Sequence, residues 1–170
     1  MKYAGIGSRR TPPEILQKME AIAKFLAKMG YTLRSGGAEG ADSAFERGCD
    51  TASGQKEIFI PWPNFNGRKE NIFLPTEEAF SMAAKIHPAW DKCSFGARKL
   101  HARNCHQILG INLDDPVDFV VCWSPGNGGT EQALRLARIH NISIFNLIDP
   151  EAVKVLKNYL QNLCWISDRY

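Results

Sequence analysis

The chain lacks any long apolar run. Nothing in its 170 residues approaches the roughly 18 consecutive apolar positions needed to cross a bilayer, so no membrane partner is expected. It also lacks a strong charge bias. Lys and Arg number 21 against 18 Asp and Glu, and the resulting +3 tolerates an anionic ligand without demanding one. The five cysteines (Cys49, Cys93, Cys105, Cys122, Cys164) are odd in number, scattered, and without a CxxC pair. That usage argues against a disulfide framework and for a reducing cytoplasm. The opening "MKYAGIGSRR" has no apolar stretch of the signal-peptide kind, and no low-complexity tract interrupts the chain. Absent as well are the GKS or GKT of a P-loop and a GxGxxG with a later ribose-binding acid, which disfavours a P-loop kinase and a nicotinamide dehydrogenase. No Ser-His-Asp order is evident.

What is present alternates. Residues 2–6 read as a strand, and Pro12-Pro13 as a helix start with Thr11 as the N-cap. Ile15, Met19, Ile22, Leu26 and Met29 then mark an amphipathic helix that Gly30 stops. Further strands are expected at "YTLRS", "EIFIPW" (57–62), "DFVVCWS" (118–124) and "ISIFNLI" (142–148). Helices are expected over 38–47, about 76–86, 95–109, 129–139 and 150–163, with a polar loop "PNFNGRKEN" at 63–71. "DFVVCWS" is almost continuously apolar, as in a parallel sheet covered on both faces, and Cys122 within it reads as a small buried hydrophobe. The pattern implies one domain over 1–170: an α/β, Rossmann-like, three-layer α/β/α fold with a mainly parallel sheet.

Three glycine clusters follow strands: "GIGSRR" (5–10), "LRSGGAEGAD" (33–42) and "SPGNGGTEQAL" (124–134). In an open parallel sheet all three fall at the carboxyl edge, where ligands bind. Loops feeding helix N-termini offer free N–H groups and a favourable dipole to an anion. The candidate ligand-binding residues are therefore Gly7, Ser8, Arg9, Ser35, Gly36, Gly37, Ala38, Asp42, Ser124, Gly126, Gly128, Gly129 and Thr130. Trp62 is added as a stacking wall for a base, while Trp123 stands either as a second wall or as a core residue. Arg9 and Arg103 are the candidate phosphate cations, because guanidinium binds phosphate bidentately; Arg10 reads equally as a solvated neighbour. His101 and Cys105 lie four apart on one helix without a partner cluster, so no metal and no cofactor are expected.

Taken in order, "GIGSRR", "LRSGGAEGAD", "KLHARNCHQIL" and "SPGNGGTEQALRLA" resemble the SLOG superfamily of Rossmann-like nucleotide-binding proteins. That superfamily includes the Rossmann domain of DNA-processing protein A and the LOG phosphoribohydrolases. The resemblance spans about residues 2–148. "SGGAEGAD" is similar to the Ser-Gly-Gly-Ala turn of the DNA-processing branch. The LOG signature is His-x-Arg-Lys followed by Pro-Gly-Gly-x-Gly-Thr-x-x-Glu. Here His101 and Arg103 match it, Asn104 replaces the lysine, and Ala133 stands where that family has its glutamate. The nearest acid, Glu131, comes two residues earlier.

The resemblance implies a nucleotide or phosphorylated nucleoside as ligand and, if the chain is catalytic, cleavage of an N-glycosidic bond. Such cleavage needs a carboxylate near the sugar carbon and a group that helps the base leave. Arg103, Glu131 and Asp42 are the candidate catalytic residues on this reading. Its alternative is a binding module that sequesters a nucleotide messenger, or that binds single-stranded DNA weakly as in the DNA-processing branch. A homodimer or higher homo-oligomer is expected, with "KLHARNCHQILGINL" offering apolar contact residues.

Overall fold

The computed structural model describes residues 1–69 and 72–167; Glu70 and Asn71, the end of the polar loop expected over 63–71, lie outside it. Six strands form one sheet in the order β4-β3-β2-β1-β5-β6, and every neighbouring pair is parallel. They are β1 (Lys2–Gly7), β2 (Thr32–Ser35), β3 (Lys56–Phe59), β4 (Ile72–Phe73), β5 (Phe119–Trp123) and β6 (Ser143–Asn146). Between them run α1 (Pro13–Lys28), α2 (Ala41–Thr51), α3 (Glu77–Ile86), α4 (Phe95–Leu109) and α5 (Gly129–Ile139), with α6 (Pro150–Ser167) after β6.

The alternation of side chains across the pleat sorts the core into two layers. Tyr3, Leu33, Phe119 and Val121 face α1, α2 and α6, where they meet Met19, Leu26, Phe45 and Leu156. Ala4, Ile6, Val120 and Cys122 face α3, α4 and α5, where they meet Ala83, Cys105, Ile108 and Leu136. The continuous apolar run of β5 is thus the expected signature of a strand buried on both sides, and Cys122 is a fully buried core residue.

Several local expectations shift. Thr11 is not the cap of α1. Pro12 holds that position without a side-chain bond, and the Thr11 hydroxyl instead donates to the Ser8 carbonyl at 2.7 Å. The second helix begins at Ala41 rather than 38, because residues 36–40 are needed for the turn. α3 and α4 carry the side-chain caps: Thr76 accepts from the Ala79 amide and Ser94 from the Ala97 amide, each at 3.3 Å. β4 has no counterpart in the sequence pattern, since a two-residue strand is too short to show any periodicity. The segment expected to serve a dimer contact is largely spent within the chain, as 101–110 of α4 and its cap are buried.

At the amino edge of the sheet, Arg34 is buried to 1% exposure. Its guanidinium donates to Glu57 at 2.6 Å and to Asp115 at 2.5 Å. Lys2 joins the same two carboxylates, so the buried charge is fully paired. The carboxyl edge is the other end of the molecule, and there the order of the sheet reverses between β1 and β5. Gly7 is in register with Trp123, and the Ser8 amide donates to the Trp123 carbonyl at 3.2 Å. A crevice opens at such a reversal.

α1 and α2 pack unusually close, because Gly48 faces the α1 backbone. A Cβ on Gly48 would lie 2.1 Å from the Glu20 carbonyl oxygen. Replacing it with alanine is therefore expected to force the helices apart and cost about 1–3 kcal/mol in a urea unfolding experiment. Unchanged stability would rule out this contact as a determinant of the packing.

Candidate functional site

The crevice between β1 and β5 holds a cavity of about 440 Å³. Its floor is the end of β1 (Gly7 to Arg10). Ala38 and Asp42 come from the β2–α2 turn, Arg103, Asn104 and Gln107 from α4, and Asn127 to Thr130 from the start of α5. The glycine clusters after β1 and β5 therefore meet as expected. The cluster after β2 contributes less directly.

Arg103 is the residue around which this wall is built. It lies in α4, is 6% exposed, and crosses the backbone of the β2–α2 turn at Gly36. A Cβ on Gly36 would fall 1.2 Å from Arg103 Nη1. Gly36 is thus a passage for the guanidinium, which is a different role from cradling a phosphate. Arg103 Nη1 donates to Asp42 Oδ2 at 3.3 Å, and the same oxygen accepts from the Ala38 amide at 3.2 Å. Burial pushes the Asp42 carboxyl up and the Arg103 guanidinium down in pKa, and each is opposed by the charge of the other. Arg103 Nε is buried with no partner among the described residues, and Asp42 is the one group there that accepts from the guanidinium. Arg9 and Arg10, both exposed, line the same cavity.

Ser35 and Gly37 of "LRSGGAEGAD" are buried, and Glu39 is exposed. The Ser35 hydroxyl donates to Glu46 Oε1 at 2.6 Å, and Glu46 also pairs with Arg68. The Gly37 carbonyl accepts from Asn66 Nδ2 at 2.9 Å and from Arg68 Nε at 3.4 Å, so loop 63–69 clamps the turn from outside. Ser35, Gly36 and Gly37 do not line the cavity; Ala38 and Asp42 do. Trp62 does not line it either. Trp62 is half-buried, edge-on to Phe65 at 5.1 Å, in a small cluster with Ala38, Ile58 and Ile60. Trp123 packs on the α1/α2 core layer, which decides between its two readings.

At the third cluster, Gly128 caps α5 with a φ of 79° and no side-chain bond. Space beside Gly126, Gly128 and Gly129 is open. The first amides of α5 consequently face the cavity unshielded, with Thr130 among them. Ser124 sits behind this loop, its hydroxyl accepting from the Gly126 amide at 3.3 Å. Asn104 donates to the Gly129 carbonyl at 2.9 Å and so ties α4 to the loop.

Ala133, where the LOG resemblance would require a glutamate, is part of the cavity wall, so that position supplies no carboxylate and the LOG likeness is not upheld. Glu131 lies on the far side of the loop and pairs with Arg138 at 2.6 Å. It lines a second cavity of about 560 Å³, which shares Leu100 and residues 127–129 with the first and is otherwise bounded by His87, His101, Gly126, Gln132 and Arg135. Among the described residues, Asp42 is the one carboxylate lining the first cavity.

His101 and Cys105, four apart on α4, do not share a site. Cys105 turns into the core and donates to the His101 carbonyl at 3.6 Å. His101 instead meets His87, ring centroids 4.4 Å apart, and burial together with the His87 charge lowers its pKa to about 4. His87 lies in the irregular 87–94 segment, whose sequence carries no periodicity to show which way it faces.

No protein-family model matches the chain, and no curated protein matches its sequence. Two solved structures share its fold. One is the DNA processing protein A of Helicobacter pylori, solved for its single-stranded DNA binding mode. It is 20% identical, with a TM-score of 0.56 over 100% of this chain and 81% of that one. The other is DNA processing protein A of Streptococcus pneumoniae, 15% identical, with a TM-score of 0.54 over 92% of this chain and 56% of that one.

The buried pair makes a sharp expectation. Asp42→Ala leaves the Arg103 charge uncompensated and should cost about 3–5 kcal/mol in chemical denaturation, whereas an Asp42→Ala, Arg103→Met double variant recovers much of that loss. Strict additivity of the two substitutions would refute the coupling. At these identities the likeness to the two solved proteins is one of fold, and this chain is a Rossmann-like domain similar to DNA processing protein A.

Proposed function

We propose that the crevice binds phosphate groups of single-stranded nucleic acid, and that it binds without cleaving a glycosidic bond. The observation that carries this reading is the Arg103 guanidinium on the cavity wall, whose one hydrogen-bond partner among the described residues is Asp42, bonded through Nη1. Such a group is held in place before a ligand arrives and has N–H groups to offer an anionic oxygen. Arg9, Arg10 and the start of α5, whose Gly128 cap brings no side chain, surround the same space with positive potential.

The chemistry of cleavage lacks its acid. Asp42 is committed to Arg103 and the Ala38 amide, Glu131 to Arg138, and the remaining wall position is Ala133. The Helicobacter pylori neighbour, with its single-stranded DNA binding mode, favours a strand over a free nucleotide. The net charge of +3 is in keeping with a few phosphate contacts rather than many.

Fluorescence anisotropy with a labelled oligothymidylate across a salt series tests this. Three cationic contacts give a slope of log K against log salt of about −2. Arg9→Ala and Arg10→Ala, both at exposed positions, should each weaken binding and flatten that slope by about 0.7. Absence of oligonucleotide binding, or release of free base from a panel of nucleoside monophosphates, would sink the reading.

A further inference from the structure

We propose that His87, Cys93 and His101 form a binding site for a divalent ion of the zinc class on the wall of the second cavity. The site is separate from the nucleic-acid reading and stands without it. Among the described residues these three form a group whose ligand atoms all lie within 4.8 Å of one another. They come from three places in the fold: the end of α3, the residue after the short turn Trp90–Lys92, and the first half of α4.

The spacing suits the ion. With a metal–sulfur bond of about 2.3 Å and metal–nitrogen bonds of about 2.0–2.1 Å, tetrahedral coordination puts sulfur and nitrogen roughly 3.5 Å apart. Cys93 Sγ lies 3.7 Å from His87 Nδ1 and 3.8 Å from His87 Nε2, over the ring rather than beyond either nitrogen, so the distance fits and the His87 ring turns to aim one nitrogen when the ion binds. His101 supplies an independent observation. It is nine-tenths buried, and among the described residues no group meets its Nδ1 in hydrogen-bond geometry. A buried polar atom of this kind calls for an explanation, and coordination at this cluster provides one.

Two contacts must be exchanged when the ion binds. The Ala89 amide donates to His87 Nδ1 at 3.2 Å, and coordination through either ring nitrogen gives this bond up, because the other nitrogen must then carry the proton. Cys93 Sγ donates to the Ala89 carbonyl at 3.5 Å, and this proton leaves to solvent as the thiolate forms. Two imidazoles and one thiolate select zinc or cobalt over magnesium and calcium, which take oxygen ligands. His87 and His101 both line the second cavity, so the fourth coordination position opens there to water or an anionic oxygen. Three protein ligands with one open position is the pattern of a reactive zinc site rather than a closed structural one.

The test uses the full chain, stripped of metal with a chelator and titrated with cobalt(II) and then zinc(II), with no nucleic acid present. Saturation at one equivalent per chain is expected, with a sulfur-to-cobalt charge-transfer band that zinc abolishes. Cys93→Ser should remove that band, and His87→Ala and His101→Ala should each weaken zinc binding at least tenfold. His140→Ala, exposed and outside the cluster, should leave both unchanged. Circular dichroism checks that each variant is folded. If the His101 variant fails that check, the half-buried His87 and Cys93 decide the matter alone. Absence of saturable binding at micromolar metal, or an undiminished band in Cys93→Ser, overturns the proposal. A band unchanged in both His87→Ala and His101→Ala does so as well.

Discussion

The ion pair between Arg103 and Asp42 is the constraint on which the carboxyl edge of this molecule depends. A guanidinium at 6% exposure is tolerable only beside a counter-charge, and it can reach Asp42 only because residue 36 has no side chain. That contact joins α4 to the β2–α2 turn and the start of α2, a stretch 61 residues earlier in the chain at Asp42. Asp42 also receives the Ala38 amide, so the charge that balances Arg103 also shapes the turn. Outside the turn, Arg68 and Asn66 hold the Gly37 carbonyl, and Glu46 anchors both Ser35 and Arg68.

This arrangement divides labour along the rim of the sheet. The glycines after β2 serve the protein's own arginine, and those after β5 leave the first turn of α5 bare. Leu100 and residues 127–129 separate two cavities of different chemistry. The first is lined by three arginines and one committed carboxylate, which suits anion binding. The second carries two imidazoles with a thiol close by, a softer set of donors. A chain with a net charge of only +3 can still concentrate cationic groups at one edge, because its sheet reverses order there.

Much of the framework was legible. The 3.6-residue spacing in α1 and the unbroken apolar run of β5 mark their elements without reference to the rest of the chain. Elements that carry no period of their own were not legible. β4 has two residues, and the 87–94 segment is irregular, so neither the sixth strand nor the facing of His87 and Cys93 could be read. Thr11 has the residue type of a cap for α1 but bonds to a carbonyl behind it, which local propensity does not register.

What the sequence determined by itself is the alternation of strands and helices, and with it the parallel sheet and the gathering of glycine turns at one edge. These follow from local periodicity and from the rule that parallel strands need crossovers. Only the tertiary structure decided which turns face a ligand. Ser35 and Gly36 looked like phosphate contacts until Glu46 and Arg103 occupied them. Glu131 looked like an acid for the same cavity until its helix turned it toward Arg138. In each case the partner is separated by seven to sixty-seven residues or by a layer of the fold, and a side chain's partner is set by packing across that distance, to which the pattern of neighbouring residues is blind.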